Sequence, residues 1–160
     1  GEKLNICTVI GFPLGYSTTA SKVQEARDAV ADGASEIDMV INIADVKNGD
    51  YQKVEEEIRA IRKACQGKIL KVIIETCYLT EEEKIAMCHA VTNAKADYIK
   101  TSTGFGTAGA QLTDIALFKA NIGPDVKIKA AGGIRTRQAM EDFLAAGCDR
   151  IGSSSALDIL

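Results

Sequence analysis

Two lysines interrupt apolar runs in this sequence, each just ahead of a glycine turn. Lys100 stands in Asp97-Tyr98-Ile99-Lys100-Thr101-Ser102-Thr103-Gly104, and Lys129 in Val126-Lys127-Ile128-Lys129-Ala130-Ala131-Gly132-Gly133. A lysine aimed into an apolar interior loses hydration and gives up its proton more readily than one in water. A second ammonium nearby pushes the same way. An amine treated so is nucleophilic near neutral pH. The competing reading is that each lysine snorkels to solvent at a strand end. Lys71, in Leu70-Lys71-Val72-Ile73, is a third strand lysine and is read as snorkelling.

A carboxylate sits in the middle of another apolar run, Ser35-Glu36-Ile37-Asp38-Met39-Val40-Ile41-Asn42. Strand alternation puts Asp38, Val40 and Asn42 on one face. A buried carboxylate needs a cation or hydrogen-bond donors. Two strand lysines would supply them, and Asp38 could then serve in proton transfer. A purely structural ion pair is the alternative. Two glycine turns add an anion-binding element: Gly132-Gly133-Ile134-Arg135 and Gly152-Ser153-Ser154-Ser155. Both precede helical patterns. Backbone amides exposed at glycines, and the positive end of a helix, favour a negative ligand. Ordinary turn glycines are the alternative.

Other chemistries find less support. His89 is the only histidine and lies within a helical pattern, so neither a histidine-rich metal site nor a Ser-His-Asp system is expected. Cys88 and His89 are adjacent on that helix and point about 100° apart, which keeps them from sharing a metal. Cys77 follows a strand but has no activating histidine. The five cysteines, with no CxxC pair, read as separate buried thiols in a reducing, cytoplasmic setting. A net charge of -3 with mixed signs offers no basic stripe for nucleic acid. No apolar run is long enough to cross a membrane as a helix, and the first residues do not read as a signal peptide.

The elements that must position these groups repeat one pattern six times: a short apolar run, a turn, an amphipathic stretch. The runs cover residues 4–10, 35–42, 69–75, 97–103, 126–131 and 150–153, and the helical patterns residues 19–32, 51–65, 81–94, 111–120 and 137–146. Continuous apolar runs suit parallel strands covered on both faces. Gly33, Gly67, Gly123 and Gly147 follow helical stretches, where a left-handed cap favours glycine. Thr80-Glu81-Glu82-Glu83 reads as a capping box. Serial βα units in one 160-residue domain imply a parallel sheet with right-handed crossovers. Six units fall short of a closed eight-stranded barrel, and the pattern alone leans to an open sheet.

The motifs alter that leaning. Thr8-Val9-Ile10-Gly11-Phe12-Pro13-Leu14-Gly15, Glu36-Ile37-Asp38-Met39-Val40-Ile41-Asn42, Tyr98-Ile99-Lys100-Thr101-Ser102-Thr103-Gly104-Phe105 and Lys129-Ala130-Ala131-Gly132-Gly133-Ile134-Arg135 occur in this order. Lys71-Val72-Ile73-Ile74-Glu75-Thr76 and Gly152-Ser153-Ser154-Ser155 accompany them. Together they resemble the deoxyribose-phosphate aldolases, a class I, Schiff-base family built on a (β/α)8 barrel. The resemblance implies reversible cleavage of 2-deoxy-D-ribose 5-phosphate to acetaldehyde and glyceraldehyde 3-phosphate. It implies Lys100 as the imine-forming lysine, Lys129 as the second lysine that lowers its pKa, and Asp38 as the proton relay. It places Gly104, Gly132, Gly133, Arg135, Gly152, Ser154 and Ser155 around the phosphate, and calls for no metal or organic cofactor.

The resemblance starts at what would be the family's third strand and stops at Leu160, inside what would be its last helix. The expected fold is therefore α/β: a barrel-derived (βα)6 unit with parallel strands, either an incomplete barrel or an open, rearranged sheet. The expected partners are a small phosphorylated sugar or aldehyde and further copies of the chain joined through exposed strand edges. Two other functions stand beside the aldolase: a catalytically silent barrel fragment that self-assembles, and a phosphate-binding α/β module.

Overall fold

The computed structural model describes residues 4–159; residues 1–3 and Leu160, the ends of the expected domain, lie outside the described residues. Six strands occur in order: β1 (Cys7–Ile10), β2 (Glu36–Val40), β3 (Ile69–Ile73), β4 (Tyr98–Lys100), β5 (Lys127–Ala131) and β6 (Arg150–Gly152). They form one sheet in sequence order, with each neighbouring pair parallel. The helices are α1 (Thr19–Ala31), α2 (Ile43–Lys47), α3 (Tyr51–Ala64), α4 (Glu81–Asn93), α5 (Leu112–Asn121), α6 (Arg137–Ala146) and α7 (Ala156–Ile159).

The strand order decides between the two expected architectures. A doubly wound sheet reverses its order, which sends helices to both faces. Here the order never reverses, so crossovers of one hand put every connecting helix on the same side. Ile37 and Met39 of β2, Leu70 and Val72 of β3, Ile99 of β4 and Ile128 of β5 pack there with Val54, Ile58 and Ile61 of α3, Met87 and Val91 of α4, and Ile115 and Phe118 of α5. The intervening strand residues face the other way, and that face is concave. Asp38 on β2 and Lys129 on β5 are three strands apart, about 14 Å in a flat sheet, yet their side chains meet at 2.8 Å. Arg150 of β6 likewise ion-pairs with Glu36 of β2. The sheet is a curled part-barrel. Among the described residues, β1 and β6 each have a strand neighbour on one side only.

Local signals explain most element boundaries. The capping box forms as expected, with Thr80 and Glu83 satisfying each other's backbone amides. Thr18 and Thr136 cap α1 and α6. Gly33, Gly67 and Gly147 adopt positive φ. Gly123 does not serve as a left-handed cap: α5 ends at Asn121, and Ile122 is extended. Its glycine is a matter of room, since a Cβ there would lie 2.5 Å from Thr92 Cγ2. Asn42 is a second correction. It does not continue the Asp38 face, because β2 ends at Val40 and the Asn42 side chain caps α2 through the amides of Ala44 and Asp45. The short α2 and the 3-10 turn Thr76–Tyr78 had no sequence signal, being too short to show a helical period, while α7 stands where the helix after the Gly152 turn was expected.

Candidate active site

Alternation along each strand brings charged residues to the concave face. In register, Asp38 lies opposite Lys71, and Lys100 opposite Lys129. Asp38 stands at the centre and is 1% exposed. Its Oδ2 accepts from Lys100 Nζ and from Lys129 Nζ, each at 2.8 Å. Its Oδ1 accepts from Lys71 Nζ at 2.8 Å. Lys71 Nζ also lies 2.6 Å from Glu36 Oε2, the carboxylate that pairs with Arg150. Lys71, Lys100, Lys129 and Arg150 thus face Glu36 and Asp38, an excess of two positive charges.

That imbalance sorts the lysines. Burial pushes Lys100 below the ordinary lysine value; Asp38 opposes this and the Lys129 ammonium reinforces it. Burial acts on Lys71 too, but its hydrogen bonds to Asp38 and Glu36 outweigh it and hold that amine above the ordinary value. Lys71 does not snorkel, as had been expected: it is fully buried, because two carboxylates meet it inside the curl. Burial would raise Asp38, but the Lys100 and Lys129 ammoniums hold its carboxyl well below the usual carboxylate range. Neighbouring groups whose pKa values are driven apart are the usual mark of acid–base chemistry.

Beside this cluster lies a cleft of about 400 Å³, lined by Lys100 and Lys129 and by Gly104, Gly132, Gly133, Arg135, Gly152 and Ser154. Asp38 is behind the lysines and does not line it, nor does Ser155, whose amide instead donates to Ser153 Oγ. Gly132 has φ +88°, a conformation that suits glycine, and a Cβ there would crowd Gly109 Cα at 3.1 Å. The turn leads into α6, whose N-terminus favours an anion in front of it.

Several cleft and cluster residues escaped the sequence reading: Thr103, Phe105, Ile134 and Ser153 in the cleft, and Glu36, Arg150 and Cys7 around Asp38. Glu36 carried a usable signal, since it lies two residues before Asp38 and must share its face. The cysteines are all free. Cys65, Cys88 and Cys148 are buried, and burial pushes Cys88 up to about 12 and Cys148 up to about 11. Cys7 departs from the expected burial; it is exposed on the edge strand and donates to Asp38 Oδ1 at 3.2 Å. Cys77 is partly exposed, and His89 is exposed on α4. Among the described residues no group of three His, Cys, Asp or Glu could hold a metal, and no helix is long and apolar enough to cross a membrane.

Comparison with known proteins bears on the fold and the family. A deoxyribose-phosphate aldolase of Clostridium botulinum (strain Alaska E43 / Type E3) is 68% identical over 160 residues, covering 100% of this chain and 72% of that protein. Among solved structures, the aldolase QR15 superimposes with a TM-score of 0.95 at 43% identity, over 99% of this chain and 72% of its own. The tetrameric deoxyribose phosphate aldolase of Aeropyrum pernix has a TM-score of 0.89 at 31% identity, over 98% of this chain and 66% of its own. The family model described as DeoC/LacD family aldolase matches residues 2–158. On a match of that extent, the chain belongs to the DeoC/LacD family of aldolases.

Proposed function

We propose that the chain carries out class I aldol cleavage of 2-deoxy-D-ribose 5-phosphate to acetaldehyde and glyceraldehyde 3-phosphate. One observation carries the reading: the amines of Lys100 and Lys129 share a single oxygen of buried Asp38, at the wall of a cleft that continues into the Gly132 turn. Lys100 is the amine driven toward its neutral form, so Lys100 attacks the open-chain aldehyde and expels water to form an imine. The imine accepts the electron pair of the breaking C2–C3 bond. The 3-hydroxyl proton leaves through water to Asp38, whose basicity rises whenever Lys100 is uncharged. Glyceraldehyde 3-phosphate departs, the enamine is protonated, and water releases acetaldehyde from Lys100. Because the imine is the electron sink, these steps call for no metal or organic cofactor. Gly104, Gly132, Gly133, Arg135, Gly152 and Ser154 are the proposed phosphate side, and Ser155, outside the cleft lining, is left out of it.

Borohydride reduction in the presence of 2-deoxyribose 5-phosphate, followed by peptide mass mapping, tests this reading. The expected product is a reduced adduct on Lys100 that Lys100→Ala abolishes. An adduct on Lys71 alone, or none, sinks it. We read residues 1–160 as one βα domain, since one core cluster runs from Ile10 to Cys148. A cytoplasmic setting fits the free thiols. Homo-oligomers through the β1 and β6 edges are also proposed, because among the described residues each has a strand neighbour on one side only. A monomer at all concentrations in sedimentation would overturn that assembly.

A further inference from the structure

Glu75 holds a backbone conformation that its side-chain type disfavours. Its φ is 52° and its ψ 66°, in the left-handed region that suits glycine. Among the described non-glycine residues only Lys95 shares a positive φ, and Lys95 is exposed whereas Glu75 is 2% exposed. A buried carboxylate on a disfavoured backbone points to what the carboxylate holds. Both oxygens are committed to Thr103: Oε1 accepts from its amide at 2.9 Å, and Oε2 from its hydroxyl. With that proton given to Glu75, Thr103 Oγ1 accepts from the Phe105 amide at 3.0 Å. Thr103, Gly104 and Phe105 form the cleft wall that follows Lys100. The same loop is gripped further on. A Cβ at Gly106 would lie 2.7 Å from Cys77 Sγ, and one at Gly109 would lie 2.1 Å from the Gly132 carbonyl oxygen. The loop after β4 is thus wedged between the loop after β3 and the Gly132 turn.

We propose that Glu75 is a positioning residue that, through Thr103, sets the distance between Lys100 and the anion-binding turn at Gly132. It therefore governs recognition of the phosphorylated end of the substrate and leaves imine formation at Lys100 alone. The proposal rests on the aldolase reading above. Its test compares wild type with Glu75→Gly, which frees the backbone, Glu75→Gln, which keeps the size and one acceptor oxygen, and Thr103→Val. KM and kcat for 2-deoxyribose 5-phosphate are measured beside borohydride trapping of acetaldehyde, which has no phosphate. KM rises about tenfold in Glu75→Gly and Thr103→Val and less in Glu75→Gln, the loss of one charged hydrogen bond. The Glu75→Gly and Thr103→Val effects do not add when combined, because both break one contact. Acetaldehyde trapping at Lys100 stays within about twofold of wild type in Glu75→Gly and Glu75→Gln. KM unchanged in the variants, with a wild type that traps acetaldehyde, overturns the role of Glu75 alone, as does trapping in the Glu75 variants that falls as KM rises. A wild type that neither traps nor cleaves overturns the aldolase reading and this role with it.

Discussion

At the residue scale, what distinguishes Lys100 from Lys71 is the number of carboxylates each meets. Lys71 has two within 2.8 Å and is held charged; Lys100 shares one oxygen of Asp38 with Lys129 and is pushed down. Replacing Lys129 by alanine should act on Lys100 in a definite direction. It removes a like charge and leaves Asp38 more fully to Lys100, and both changes raise the Lys100 pKa. The rising limb of the pH–rate profile moves to higher pH, and the rate near pH 7 falls about tenfold for each unit of that move. A limb that stays put or moves to lower pH would show that Lys129 acts otherwise. The two lysines and Asp38 were legible because each breaks an apolar run. So was their pairing with one another; the Glu36–Arg150 pair was not. Arg150 is 114 residues from Glu36, and only the curl of the sheet makes them neighbours.

At the element scale, the six apolar runs located all six strands, each shorter than its run by one to four residues. A strand stops where its ladder partners stop, and that depends on residues far away in sequence. The choice between an open and a curled sheet was not legible in periodicity, since both give the same run of βα units; strand order decided it. The glycine turns were legible as types, but the reason for each was not. Gly132 needs both its positive φ and the space against Gly109 and Ser102. Gly132→Ala should therefore cost about 1–3 kcal/mol, read as a lower urea midpoint, and should weaken inorganic phosphate binding as the turn moves. Gly133→Ala separates the two causes. It meets the same left-handed φ with nothing within 4 Å, so it should show the conformational cost without the crowding, and a smaller loss of stability. Equal losses in the two variants would mean that crowding at Gly132 is relieved at no cost.

At the scale of the whole molecule, Asp38 ties four strands together. β2 supplies the carboxylate and β3, β4 and β5 the cations, so the electrostatic cluster and the curvature depend on each other. Glu36 does the same for β3 and β6. Both carboxyls lie below their usual values in the folded chain. In acid the folded chain then binds fewer protons than the unfolded chain. The stability this contributes is fully present above the unfolded carboxylate values, about 4. It is lost as pH falls below about 4 and on through the depressed native values. Asp38→Asn removes the charge that three ammoniums surround. At pH 7 that variant should be less stable than wild type by about 3–5 kcal/mol, the usual cost of breaking a buried ion pair from one side. Burial makes Lys100 give up its proton more readily than an ordinary lysine, which reduces the loss and favours the lower end. The distance between the two stability curves should shrink as the solution is acidified below about pH 4, because the wild type then gives up the same charge. Urea midpoints for both proteins between pH 3 and pH 7 measure it. A gap that stays constant across that range would mean that Asp38 holds the strands by shape and hydrogen bonding, not by its charge.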